Sequence, residues 1–162
     1  MEFAELRRNA DDALAEAENL LDHPNLRTPR DGWNAAQHLE HLSIAAVRSL
    51  KAVHVIQAGQ GETREGKADV IGRRILRSGR IPAGAEAPQP TRPTEEGDLD
   101  RARANLATCR GWLAELPPTG LADGAMPHPL LGLFDGNEWL RFVAVHTRHH
   151  LALIDDLDAP PR

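Results

Sequence analysis

The sequence holds a single cysteine, Cys109, which excludes an intrachain disulfide and any zinc site built from several thiolates. Aromatic residues make up only 4% of the 162 residues, and no stretch sustains the apolar-polar alternation of a half-buried strand. Positive charge is not in excess either: the formal net charge is -5, so the electrostatic footprint of a nucleic-acid binder is missing. No apolar run approaches the ~18 residues that a membrane span needs, and the first residues lack the basic-then-apolar layout of an export signal. The expectation is therefore a cytoplasmic, all-α protein without nucleic-acid or membrane partners, folded as one domain over residues 1–162. Its richness in Ala, Leu, Arg and Glu agrees with helix.

What is present is helical periodicity. Phe3, Leu6, Ala10, Ala13, Leu14, Ala17, Leu20 and Leu21 mark a first amphipathic helix. His23-Pro24-Asn25 and Thr28-Pro29-Arg30-Asp31-Gly32 then form a connection in which His23 reads as a solvated residue. A second helix starts near Asn34, where Asn34 and Gln37 have capping-box spacing and Trp33 stands as a hydrophobic staple. Its core stripe is Leu39, Leu42, Ala46, Leu50 and Val53, with His41 beside it and Ala45 one turn on leaving room for a ring or its ligand. His38 shares that flank and His54 lies well off it, and both read as surface or helix-end histidines. A proline-rich crossover, about residues 59–97, contains a short helix from Val70 to Arg80. Its cluster of Arg73, Arg74, Arg77 and Arg80 reads as a solvated face; in the alternative, the crossover lids a site and one arginine holds a carboxylate. The third long helix spans Leu99 to Leu116, with Leu99, Ala102, Leu106, Cys109, Trp112 and Leu113 inward, so that Cys109 is a small buried hydrophobe. Residues 117–134 read as loop.

The last helix, Asp135 to Leu157, opens on a second capping box, Asp135 with Glu138. Its inward stripe is Trp139, Phe142, Val143, His146, His150, Leu153, Ile154 and Leu157. Residues four apart on a helix differ by ~40° around the axis and ~6 Å along it, so His146 and His150 share the buried face. Two imidazoles buried without partners would cost on the order of a few kcal/mol each, and a bound metal would satisfy both.

Two segments resemble a known family. Trp33-Asn34-Ala35-Ala36-Gln37-His38-Leu39-Glu40-His41-Leu42 is similar to the opening motif of the DinB/YfiT-like superfamily. His128-Pro129-Leu130-Leu131-Gly132, with Trp139 and His146-Thr147-Arg148-His149-His150-Leu151, resembles the closing motif of one DinB-like branch. The resemblance implies a four-helix bundle with the long crossover between its second and third helices and an up-up-down-down connection. It also implies a homodimer, and a divalent metal held by His41, His146 and His150. The apolar surfaces expected on the first and third helices point to the same dimer.

Characterised relatives include thiol-dependent transferases and metal-dependent hydrolases. Three imidazoles leave coordination positions open, as in a catalytic rather than a structural site, with zinc or nickel as first candidates. Such an ion can activate water or hold a small-molecule thiol as thiolate against a small-molecule substrate. A module whose metal only staples the bundle, or a dimeric interaction protein, is the other reading. Asn34 stands where Ser or Thr is commoner, which keeps the cap; Leu153 stands where many relatives carry Gln, which removes a hydrogen bond near the site. No general base is evident. His149 reads as supporting or structural at the pocket edge, while His128 either lines the pocket mouth or bonds to nearby backbone.

Overall fold

Each apolar stripe becomes a buried face in the structure, a computed structural model that describes residues 2–22, 32–62, 67–82, 84 and 86–158. Helix α1 spans Phe3–Asp22 and buries Leu6, Ala10, Ala13, Leu14, Ala17 and Leu21. Helix α2 spans Ala35–Gln57, and both arms of its capping box form: Asn34 Oδ1 accepts from Gln37 N at 2.8 Å and Gln37 Oε1 from Asn34 N at 2.9 Å. A cap of this kind is worth roughly 1 kcal/mol and sets where the helix starts. Helix α3 is Val70–Ser78, α4 is Leu99–Glu115 and α5 is Gly136–Asp158. The α5 box also closes, with Asp135 accepting from Glu138 N at 2.8 Å and Glu138 from Asp135 N at 3.0 Å. The 22–33 connection, His23 included, lies almost wholly outside the described residues.

The four long helices pack in a ring: α2 touches α4 and α5, and α1 touches the same two. Side-chain partners give their directions. Arg103 near the start of α4 pairs with Asp22 at the end of α1, while Arg7 near the start of α1 reaches the Leu116 carbonyl, so α1 and α4 are antiparallel. Arg101 meets Glu40, Asn105 meets Ser43 and Trp112 meets His54, so α2 and α4 are parallel. His41 lies against His146 and His38 against His150, so α2 and α5 are antiparallel. The bundle is therefore up-down-down-up, not the expected up-up-down-down. The reason is in the connections: up-up-down-down needs two long crossovers, and this chain has one. That crossover must return the length of α2, about 35 Å at 1.5 Å per residue for its 23 residues.

On its way the crossover adds a two-residue strand β1, Lys67–Ala68, then α3, then a single 3-10 turn, Gln89–Thr91. The expected loop before α5 is instead a hairpin of β2, Ala125–His128, and β3, Gly132–Asp135, with β1 on its other edge. In register, His128 faces Gly132 and Met126 faces Phe134. Four-residue strands, one of them carrying Pro127, are too short to show alternation in sequence. Gly132 has φ +86, and a Cβ there would sit 2.7 Å from the Lys67 carbonyl oxygen, so only glycine lets β1 close on the hairpin.

Leu39, Leu42, Leu50, Val53, Leu106, Leu140 and Val143 form the fully buried centre. The exposed large hydrophobics among the described residues are Val70, Ile71 and Leu130, on α3 and the hairpin turn. The apolar surfaces expected on the first and third helices are thus not found there, because α1 and α4 turn those residues inward. No described helix is long and apolar enough to cross a membrane.

Candidate metal centre

The start of α2 and the middle of α5 run antiparallel side by side, and this brings His41, His146 and His150 together. One ring nitrogen from each lies within 4.8 Å of the other two. Ring centroids are 4.6 Å apart for His41 and His150, 4.7 Å for His146 and His150 and 5.0 Å for His41 and His146. His41 Nδ1 is 2.7 Å from the Thr91 carbonyl, which only accepts, so Nδ1 donates and the Nε2 of the neutral ring keeps a lone pair. That Nε2 lies 3.2 Å from His146 Nε2. Such tautomer fixing by a backbone carbonyl is the usual support of a metal-ligating histidine.

Burial holds all three rings neutral. The His41 pKa is lowered by burial, against the opposing Thr91 bond. For His146 it lies well below its ordinary value through burial and then the nearby His41, and for His150 it is lowered by burial and then by His146 and His41. Neutral imidazoles with converging nitrogens are what a divalent cation requires, and no proton has to be displaced near pH 7. The residues present therefore fit the ion.

His38 departs from its expected surface position. It is buried, its Nδ1 is 2.9 Å from His150 Nδ1, and burial and then His41 bring its pKa down to about 4. It sits three residues before His41, about 60° around the helix. The sequence places it on the flank of His41 without showing what covers that flank, and α5 presents His150 there. Trp33, beyond stapling α2, lies over the cluster, its ring 4.9 Å from His41 and 6.2 Å from His150. His54 is at the helix end as expected, but half-buried against Trp112, with ring centroids 5.5 Å apart.

Beside the histidines a cavity of about 850 Å³ lies between α2, α5, the hairpin and the crossover. The crossover does wall a site, but Arg73, Arg74, Arg77 and Arg80 take no part in it and stay exposed. They face solvent because α3 buries only Gly72, Ile75 and Leu76. The guanidinium groups on the cavity are those of Arg48 and Arg92, neither of which stood out in the sequence. Arg92 is paired with Glu86 at 3.8 Å. His128 does both things expected of it: it lines the cavity, and its Nδ1 accepts from Leu130 N at 3.2 Å. His149 lines the cavity with its ring 5.1 Å from His150. Leu153 lines it too and contributes apolar wall. Cys109 is fully buried and its thiol is pushed up to about 12, as expected of a small hydrophobe rather than a nucleophile.

A model of the DinB superfamily matches residues 2–154, and the chain belongs to that superfamily. No curated protein and no solved structure matched it.

Proposed function

We propose that this protein is a metal-dependent enzyme that binds a divalent ion, zinc or nickel, on His41, His146 and His150 and acts on a small molecule held in the adjoining cavity. The observation that supports it is the junction of three neutral imidazoles with a cavity of about 850 Å³. An ion that only stapled the bundle would need no such space and would normally take four protein ligands. A bound ion supplies Lewis acidity toward a carbonyl-type electrophile or a thiol.

The remaining roles fall to the chain's own residues. Trp33, Trp139, Phe142 and Leu153 give the cavity apolar walls that exclude water from a bound substrate. Arg48 has no hydrogen bond or ion pair with a described residue and can take an anionic group of the ligand. It lies seven residues from His41 on α2, about 10 Å along the axis and on the same face. His149 makes no hydrogen bond with a described residue, and burial lowers its pKa, so it brings a neutral ring to the cavity edge. Since Cys109 is buried away, a transferase reaction would take its thiol from a second small molecule; hydrolysis would use water at the same site. The protein works in the cytoplasm as a twofold dimer in this reading, and the exposed Val70, Ile71 and Leu130 offer apolar contact area.

Metal analysis of untagged protein tests the centre. The wild-type chain is expected to carry about one ion per chain, and His41→Ala, His146→Ala and His150→Ala each to lose it, an effect of at least a hundredfold in affinity. Thermal shift of the metal-loaded protein with small thiols, esters and carboxylates then separates the chemistries. Shifts by thiols that vanish in His150→Ala indicate transfer, and turnover of esters indicates hydrolysis. Full metal occupancy in His41→Ala would overturn the assignment.

A further inference from the structure

We propose that Glu40 is a positioning residue: it latches the end of the crossover onto the start of α2 and so fixes the Thr91 carbonyl that orients His41. This inference deepens the proposed metal site and rests on it. The Glu40 carboxylate is fully buried, 0% exposed, which is costly for a charge unless donors surround it. Oε2 accepts from Thr94 N at 2.8 Å, Thr94 Oγ1 at 2.8 Å and Asp98 N at 2.9 Å, and Oε1 accepts from Arg101 at 3.3 Å. All these donors lie on the crossover end or the first turn of α4, and none on α2. The carboxylate is satisfied only while residues 94–98 are docked.

The docking is reinforced from the same face of α2. Asn34 Nδ2 donates to the Glu96 carbonyl at 3.3 Å, and Gln37 Nε2 donates to those of Thr94 at 3.3 Å and Glu95 at 2.9 Å. The two capping-box side chains thus grip the crossover with the atoms that the cap leaves free. Gly97, at φ +85, passes so close that a Cβ there would stand 2.5 Å from the Ala36 carbonyl carbon. Thr91 lies three residues before Thr94, ends the 3-10 turn and is itself bonded from Oγ1 to the Pro88 carbonyl at 2.9 Å. Pro93 stiffens the link between them. Adjacent residues of α2, Glu40 and His41, therefore hold the same strap at two points, and losing the first grip frees the second.

Histidine-labelled full-length protein tests this without metal, because long-range proton–nitrogen spectra above pH 7.5 report which nitrogen of His41 carries the proton. Wild type is expected to show the Nδ1–H form. Glu40→Leu is expected to lose that preference and to weaken zinc binding about 10- to 100-fold, the range typical of lost support to a metal ligand. Glu40→Gln, whose amide oxygen can replace Oε2, is expected to stay within about threefold of wild type. Should Glu40→Leu not fold, Gly97→Ala displaces the same strap by steric contact and is expected to change tautomer and affinity in the same direction. A folded Glu40→Leu or Gly97→Ala protein with the wild-type His41 tautomer and zinc affinity overturns the proposal. If wild type itself binds no zinc, the metal reading fails, and the tautomer measurement alone still decides the latch.

Discussion

The seam between α1 and α4 and the seam between α2 and α5 are built on opposite plans. Along α1 and α4 the chain closes over small and aliphatic residues, Ala10, Ala13, Leu14, Leu106 and Cys109, while Arg110 bridges Asp11 at 2.9 Å and Glu18 at 2.8 Å along the rim. Along α2 and α5 the interior holds imidazoles instead, and it opens into a cavity that the crossover covers. The first seam supplies stability and the second keeps polar groups in a fold that pure packing would have filled. The difference teaches that the cluster of buried imidazoles sits where the bundle is least closed.

Exchanging insults between the seams gives the sharpest contrast. Leu14→Ala on α1 is expected to destabilise the fold by about 2–5 kcal/mol, the usual range for a fully buried leucine, while the folded fraction binds metal as before. His150→Ala is expected to do the reverse, with lost metal and a much smaller change in denaturant unfolding of the metal-free protein. Equal loss of stability in the two variants would erase the distinction.

Acid comes next in size. The folded-state pKa values of His38 and His128 are about 4, both depressed first by burial, against 6.5 for the unfolded chain, and those of His41, His146 and His150 are lowered as well. Below 6.5 the unfolded state takes up protons that the folded state refuses. Stability of the metal-free protein is therefore full above pH 6.5 and declines as pH falls from 6.5 toward 4, by up to about 1.4 kcal/mol per pH unit for each such ring. Metal occupancy falls over the same interval only as far as the chain unfolds, since the three folded rings stay neutral there. Thermal melts of chelated protein at pH 7.5 and 5.0 check this, and a flat melting temperature would mean that the rings protonate in place.

The smallest effect is expected at the rim of the closed seam. Arg110 and its two carboxylates are all about a third or more exposed, so Arg110→Ala is expected to cost at most about 1 kcal/mol and to lose even that in high salt. Chemical denaturation at low and high ionic strength reads it.

Local chemistry was legible in the sequence, and contacts between distant residues were less so. Both capping boxes, the buried faces of the long helices and the His146 and His150 pair follow from spacings of three and four. His41 needed the family motif, because its helix alone does not say which flank meets α5. Glu40 and His38 were missed for a shared reason. Each is a polar residue beside the stripe whose burial depends on a partner far along the chain, the crossover for one and α5 for the other. Arg48 was overshadowed by the denser basic cluster on α3, since crowding of charge in sequence says nothing about which guanidinium faces a cavity. The helix directions required contacts between side chains, and the hairpin was hidden by its shortness.

Parallel neighbours α2 and α4 oblige the chain to travel back along the bundle, and that return path is what covers the cavity. The wall is thus a by-product of connectivity rather than an added domain. Its last residues are clamped by Asn34, Gln37 and Glu40, whereas Ile81 and Pro82, farther back, line the space without such a clamp, Ile81 resting against the apolar core. Substitution or lengthening in that freer part would remodel what the cavity admits and leave the three histidines where they are. One bundle can in this way serve ligands of different shapes with a single unchanged centre.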